Sequence, residues 1–294
     1  MVQNIPLDVR QNVSRLLNLK TSDGLRDFSH SGGGCINPGG KLTTSAGTFF
    51  LKWNSARKFP SMFNSEAKGL TLLRKGQAIT IPKVIGVNED SENQFILLEF
   101  IEQGPQSKSY WKDLGSGLAT MHKATNDFFG LDHNNYIGSL RQFNDSSKTW
   151  IDFFINRRLS VQLKLSVDAG LVGSQLMKSF ETLYLKLGSL LPEEKPALLH
   201  GDLWSGNIIT TRNGDPCLID PAVYFGSREI DLAMTRLFGI FPGEFYDTYI
   251  DTYPLLPGYE DRFELYNLYP LLVHLNLFGP QYRSPITGIL SRFV

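Results

Sequence analysis

The sequence predicts an α+β protein of two lobes, a smaller strand-rich one over residues 1–102 and a larger, mostly helical one over residues 103–294. Three observations lead there. The first third alternates short apolar runs of strand type with turn-forming residues. From Tyr110 onward apolar residues recur mostly at helical spacing. Between Leu198 and Asp220 an island of loop and short strand interrupts the helices. A strand-rich part followed by a helical part implies two lobes with a cleft between them.

Each element has its own signal. Val9, Val13, Leu16 and Leu17 give a helix within Pro6–Leu19. Residues 31–40 form a turn-rich loop between two strands and hold Gly32, Gly33, Gly34 and Cys35. Residues 48–53 read as a strand ending in Lys52-Trp53, and 59–74 as a helix that carries Glu66. Residues 82–87 and 94–100 are strand-like, joined by the polar turn 88–93, and the stretch from Glu99 to Gly104 is the crossing between lobes. Helices follow at 110–123 and 149–166. The apolar run Pro216-Cys217-Leu218-Ile219 reads as a buried strand that delivers Asp220, and helical patterns resume at Glu229.

Composition removes several classes of function. Hydrophobic residues make up 41% and charged residues 20%, as in a globular protein with a sizeable core. Basic and acidic residues number 29 each and form no basic run, so no nucleic-acid partner is expected. The apolar stretches are short and interrupted by Glu99, His274 and Asn276, so no membrane span is expected. The first residues lack the pattern of a secretory signal. Two cysteines, Cys35 and Cys217, do not make a disulfide framework. A reducing, cytoplasmic setting is the expectation.

The chemistry concentrates in Leu199-His200-Gly201-Asp202-Leu203-Trp204-Ser205-Gly206-Asn207 and in Asp220. Asp202 and Asn207 stand at i and i+5, the spacing of a phosphoryl-transfer loop in which Asp receives a hydroxyl proton and Asn holds Mg²⁺. A carboxylate at a strand end, Asp220, is placed to supply a second metal contact. Upstream, Lys52 on a strand and Glu66 on the next helix have the order of a phosphate-binding lysine and its orienting partner. Taken singly, each has a plain reading: an edge lysine, a surface glutamate, a turn aspartate. The Gly-Gly-Gly run is also what a flexible loop looks like, and it does not match G-x-G-x-x-G. The ordered set favours the functional reading. Asp220 is followed by Pro221, without Asp-Phe-Gly or room for a long activation loop, which points to a small-molecule acceptor.

The segment Leu199 to Asn207 resembles the signature of the fructosamine kinase (ketosamine kinase) family, with Leu-Trp-x-Gly-Asn as its most discriminating part. The resemblance runs from about Phe28 to the end of the chain. It implies a protein-kinase-like fold, shared with aminoglycoside phosphotransferases and choline kinases. It also implies ATP-dependent phosphorylation of the third-carbon hydroxyl of a fructosamine or ribulosamine, free or on protein lysines, with release of the amine. In that scheme Gly32, Gly33, Gly34, Lys52, Glu66 and Glu99 serve the nucleotide, Asn207 and Asp220 hold Mg²⁺, and Asp202 is the base. Trp204 would line the sugar site. His274 and Asn276 resemble the family's polar positions near the acceptor, although a polar helix face explains them nearly as well. Asp231 resembles the helix-start Asp that braces the loop. An aminoglycoside or choline-type kinase stays open, as does a non-catalytic nucleotide binder, against which the complete residue set argues. Cys35 is a redox candidate, and Cys217 reads as core. Monomer and homodimer are both compatible with the sequence.

Overall fold

Antiparallel pairing and one helix on each side of a sheet dictate the first of two units in this computed structural model, which describes residues 2–19, 24–31 and 37–294. The elements in chain order are α1 (Leu7–Leu16), β1 (Leu25–His30), β2 (Gly39–Thr44), β3 (Gly47–Ser55), α2 (Met62–Arg74), β4 (Val84–Asn88), β5 (Asn93–Glu99) and α3 (Tyr110–His122). Next come β6 (Asn135–Ile137), β7 (Leu140–Gln142), α4 (Trp150–Phe153), a π-helical turn (Phe154–Leu159), α5 (Ser160–Asp168), α6 (Ser174–Leu190) and β8 (Ala197–Leu199). The chain ends with β9 (Ile208–Thr210), β10 (Pro216–Leu218), β11 (Tyr224–Gly226), α7 (Glu229–Leu237), α8 (Gly243–Thr252), α9 (Tyr259–Phe278) and α10 (Arg283–Phe293).

The first unit comprises Met1–Tyr110 and Ile208–Asp220. Its five-stranded sheet has the order β1-β2-β3-β5-β4. Side chains alternate across a strand, so the register Leu51↔Leu97 and Trp53↔Phe95 puts four apolar groups on one face. Phe28 and Leu42 join them, and Ile5, Val9 and Val13 from the α1 side close the core. Lys52, one residue out of phase, falls on the opposite face, where Glu66 of α2 reaches it. The sequence reading ended the first lobe at residue 102. In the structure this unit runs on to Tyr110 and takes in the β9–β10 hairpin, because backbone bridges Thr80↔Cys217 and Gln103↔Thr211 tie the hairpin to it.

The second unit comprises Trp111–Asn207 and Pro221–Val294. The long helix α9 is buried along most of its length and packs on α5, α7 and α10. An aromatic cluster of Trp150, Phe153, Phe154, Tyr224 and Tyr266 fills the space beside it, with ring centroids 5.2–6.1 Å apart. The segment expected as one helix over 149–166 is three pieces, α4, the π-helical turn and α5. Among the described residues no helix is long and apolar enough to cross a membrane.

The core of the first unit yields a stability prediction. Leu97 is fully buried, so Leu97→Ala should cost about 2–5 kcal/mol, lost contacts plus a cavity. Leu7, 61% exposed at the start of α1, should cost less than about 0.5 kcal/mol when cut to Ala. Urea unfolding of both variants checks the contrast.

Candidate active site

In the first unit three of the sequence-predicted residues meet. Lys52 Nζ lies 2.8 Å from Glu66 Oε1 and 2.5 Å from Asp220 Oδ1. Burial disfavours the ammonium, but the charges of Asp220 and Glu66 outweigh it, and the Lys52 pKa is raised. A permanently charged lysine fixed on two sides is the form that can bind phosphate. Asp220 itself has φ 55°, a left-handed conformation that Asp tolerates better than most side chains. The strand before it stops at Leu218, one residue short of the expected Ile219.

Other parts of this unit are less expected. Glu99 makes a clasp with one residue: its N–H donates to the Lys83 carbonyl at 2.8 Å, and its Oε2 accepts from the Lys83 N–H at 3.0 Å. Gly32, Gly33, Gly34 and Cys35 lie outside the described residues. Just after them Asn37 Oδ1 accepts from Asn54 Nδ2 at 2.8 Å, and Asn54 Oδ1 accepts from Gln94 Nε2 at 2.7 Å. This amide ladder ties the far end of the Gly-rich segment to β3 and β5, and nothing in the sequence pattern announced it. Cys217 is wholly buried, and burial pushes its thiol up to about 12.

In the second unit the loop from His200 to Asn207 hangs from a buried carboxylate. Asp231 Oδ2 accepts from the His200 N–H at 2.7 Å, and its Oδ1 from the Gly201 N–H at 2.9 Å. His122 Nε2 lies 3.2 Å from the same carboxylate, and His122 Nδ1 lies 2.8 Å from Tyr249 Oη. One arrangement satisfies all of them: Tyr249 donates to Nδ1, and Nε2–H donates to Asp231. Sequence reasoning missed His122 and Tyr249, which stand among other polar residues such as Lys123, Asp247 and Asp251 and carry no local signal of a role.

Gly201 follows from the same geometry. Its φ is 80°, and a Cβ there would stand 2.1 Å from the Ala222 carbonyl oxygen. No side chain fits, so the arginine of the protein-kinase loop has no counterpart. The His200 side chain accepts from the Asp202 N–H through Nδ1 at 3.3 Å. Asn207 Nδ2 donates to the Asp202 carbonyl and to Asp202 Oδ2, each at 2.8 Å. Those bonds commit the amide nitrogen and leave the oxygen, the atom a hard cation needs. Asp202 is thus held from two directions while lining a small cavity with Gly201, Ile137, Tyr269 and His274.

The remaining candidates separate. Trp204 folds back over its own loop: a Cβ on Gly206 would lie 2.3 Å from the indole. The glycine of Leu-Trp-x-Gly-Asn is therefore required by the tryptophan. Trp204 meets Phe238 edge-on at 6.2 Å, and Phe238 lies 4.4 Å from the His274 ring, an aromatic line that ends at the Asp202 cavity. Asn276 is elsewhere. Its Nδ2 donates to Gln162 O and Oε1 at 2.9 Å, and its Oδ1 accepts from Ser166 Oγ at 2.7 Å, which fastens α9 to α5. Among the described residues no three His, Cys, Asp or Glu side chains form a metal-holding group, so a cation here would need phosphate oxygens and water to complete its shell.

His274 gives a pH prediction. Its Nδ1 lies 2.7 Å from the Pro270 carbonyl, which fixes Nδ1 as the protonated nitrogen. Burial lowers its pKa below 6.5, so the unfolded chain takes up the proton first. Stability from the neutral ring is complete above about pH 6.5 and is lost as pH falls from there through the folded-state value. His274→Gln should therefore lose less stability than wild type between about pH 7.5 and 5, measured as urea midpoints.

Comparison with known proteins bears on the whole chain. The sequence profile of the family described as fructosamine kinase matches residues 9–294. The chloroplastic protein-ribulosamine 3-kinase of Arabidopsis thaliana is 40% identical over 268 residues, covering 90% of this chain and 81% of its own. A probable ketoamine kinase of Synechocystis sp. is 39% identical, covering 88% of each. Among solved structures, a candidate fructosamine-3-kinase from Thermobifida fusca superposes with a TM-score of 0.86 at 30% identity, over 96% of this chain and 97% of that one. Aminoglycoside phosphotransferase APH(4)-Ia, at 15% identity and TM-score 0.62 over 97% of this chain and 98% of its own, shares the fold. From residue 9 to its last residue, this α+β chain of protein-kinase-like fold belongs to the fructosamine kinase family.

Proposed function

We propose that the protein is an ATP-dependent ketosamine kinase, phosphorylating the third-carbon hydroxyl of a ribulosamine or fructosamine borne by a small amine or a protein lysine. One observation carries the chemistry: a carboxylate, Asp202, is clamped by Asn207 on a loop whose backbone amides are tied to Asp231. The relatives' names, ketoamine kinase and ribulosamine 3-kinase, support the acceptor class. The phosphorylated sugar would then release its amine, which amounts to deglycation. A cytoplasmic setting goes with this reading.

The residues divide the work. Lys52, held by Glu66, binds nucleotide phosphate as a fixed positive charge. Asp202 orients the sugar hydroxyl and receives its proton as the oxygen attacks phosphorus. Asn207 keeps the Asp202 carboxylate in one rotamer. Asn207, through its oxygen, and Asp220 are the donors for Mg²⁺, which when bound would neutralise phosphate charge. Little covalent work falls to the protein, and catalysis is positioning and charge. The aromatic line Trp204–Phe238–His274 supplies flat apolar surface beside the acceptor cavity.

Asp202→Asn should reduce kcat roughly 10²–10⁴-fold and leave ATP affinity nearly unchanged. Wild-type-like turnover would remove Asp202 from this role. For the acceptor, kcat/KM with a ribulosamine or fructosamine should exceed that with choline or kanamycin. The reverse ranking would overturn the ketosamine assignment and leave phosphoryl transfer standing.

A further inference from the structure

A buried charge remains that the proposed chemistry does not use. Arg158 lies in the π-helical turn, fully buried, and no carboxylate among the described residues pairs with it. Its guanidinium is enclosed by aromatic rings instead, 3.9 Å from the Tyr224 centroid and 4.5 Å from that of Phe153. Nη1 donates to the carbonyls of Phe143 and Arg157 at 2.7 and 3.0 Å, Nη2 donates to Asn144 Oδ1 at 2.7 Å, and Nε has no partner among the described residues. Burying an arginine this way is costly unless its donors are needed. π-Helical turns also recur at functional sites.

Those donors lead to the loop. Asn144 Nδ2 donates to Asn135 Oδ1 at 2.9 Å, and Asn135 Nδ2 donates to the Val223 carbonyl at 2.8 Å. Gln142 Nε2 donates to Asn135 Oδ1 at 2.8 Å and to the Ala222 carbonyl at 3.0 Å, while Tyr269 Oη donates to Gln142 Oε1 at 2.6 Å. Ala222 in turn gives its N–H to the His200 carbonyl at 2.9 Å, and its own carbonyl is the atom that leaves Gly201 no room for a side chain. An amide can point either way in such a chain. The guanidinium, which only donates, forces Asn144 to present its oxygen. That choice sets the direction of the next amide.

We infer that Arg158 is a positioning residue for phosphoryl transfer: through Asn144, Asn135 and Gln142 it fixes the Ala222–Val223 backbone against which the His200–Asp202 loop is set. This is a second support for the loop besides the one given by Asp231, and it rests on the ketosamine kinase reading only for the name of the acceptor.

The test uses Arg158→Met, which fills similar volume without donors, and Arg158→Lys, which keeps the charge. With a ketosamine acceptor, Arg158→Met should lose kcat by roughly 10²-fold, the scale of a small misplacement, with KM for ATP within about twofold. Arg158→Lys should recover part of that loss. Deuterium exchange should quicken at the Gly201, Asp202 and Ala222 amides and stay unchanged in β3 and β5. Wild-type kcat and exchange in a folded Arg158→Met variant would overturn the inference, as would exchange that quickens evenly through the whole second unit. Should the Met variant fail to fold, Tyr269→Phe decides, since it removes one hydroxyl from the same network: local quickening with lower kcat supports the inference, and no change in either overturns it. If wild type does not phosphorylate ketosamines, the functional reading falls, and the exchange data still judge Arg158.

Discussion

The Asp231 carboxylate, buried at the start of α7, is the constraint on which the second unit's chemistry depends. Two successive backbone N–H groups point at it, a geometry that an extended strand cannot offer and a tight turn can. In that turn Gly201 has a left-handed φ, and the Ala222 carbonyl leaves it no room for a Cβ. The next residue, Asp202, is then delivered with its backbone fixed before its side chain makes any contact. His122 and Tyr249 complete the carboxylate's shell from behind. A buried carboxylate with three donors has no unsatisfied oxygen, so its burial is tolerated.

The first unit solves a different problem, that of keeping one ammonium charged in a buried place. Lys52 occupies the strand phase opposite the hydrophobic core, so the sheet's pleat separates the charge from Leu51, Trp53, Phe95 and Leu97. Two carboxylates then surround it. Glu66 comes from a helix and Asp220 from the end of a hairpin, elements far apart in sequence. Their convergence depends on the Thr80–Cys217 bridge that docks the hairpin onto this unit.

What was legible in the sequence was what local pattern encodes. Helical spacing located α2 within 59–74 and α3 within 110–123, and alternation located β3 and β5 to within a residue or two. The loop from His200 to Asn207 was legible because its chemistry is contiguous. The supports were not. His122, Tyr249, Arg158, Asn135 and Gln142 come from five separate elements, and in sequence none is distinguished from the other polar residues around it. Only tertiary structure gives them partners. The π-helical turn was illegible for a related reason: no residue type in Phe154–Leu159 marks a wider turn, and the segment is too short for its spacing to show one. Asn276 illustrates the converse, since a polar residue whose place in the sequence suggested the acceptor joins two helices. The lobe boundary moved because the hairpin's allegiance is decided by a bridge to Thr80 and not by chain order.

The withdrawn thiol of Cys217 has a practical corollary. A thiol reagent attacks the thiolate, and this sulfur is both inaccessible and held protonated. Modification of Cys217 must therefore wait for β10 to leave its place, so its rate of labelling measures how often that hairpin opens. The chain carries its own reporter of local unfolding, read by following the slow reaction of this thiol over time, with no cysteine introduced and no substrate required.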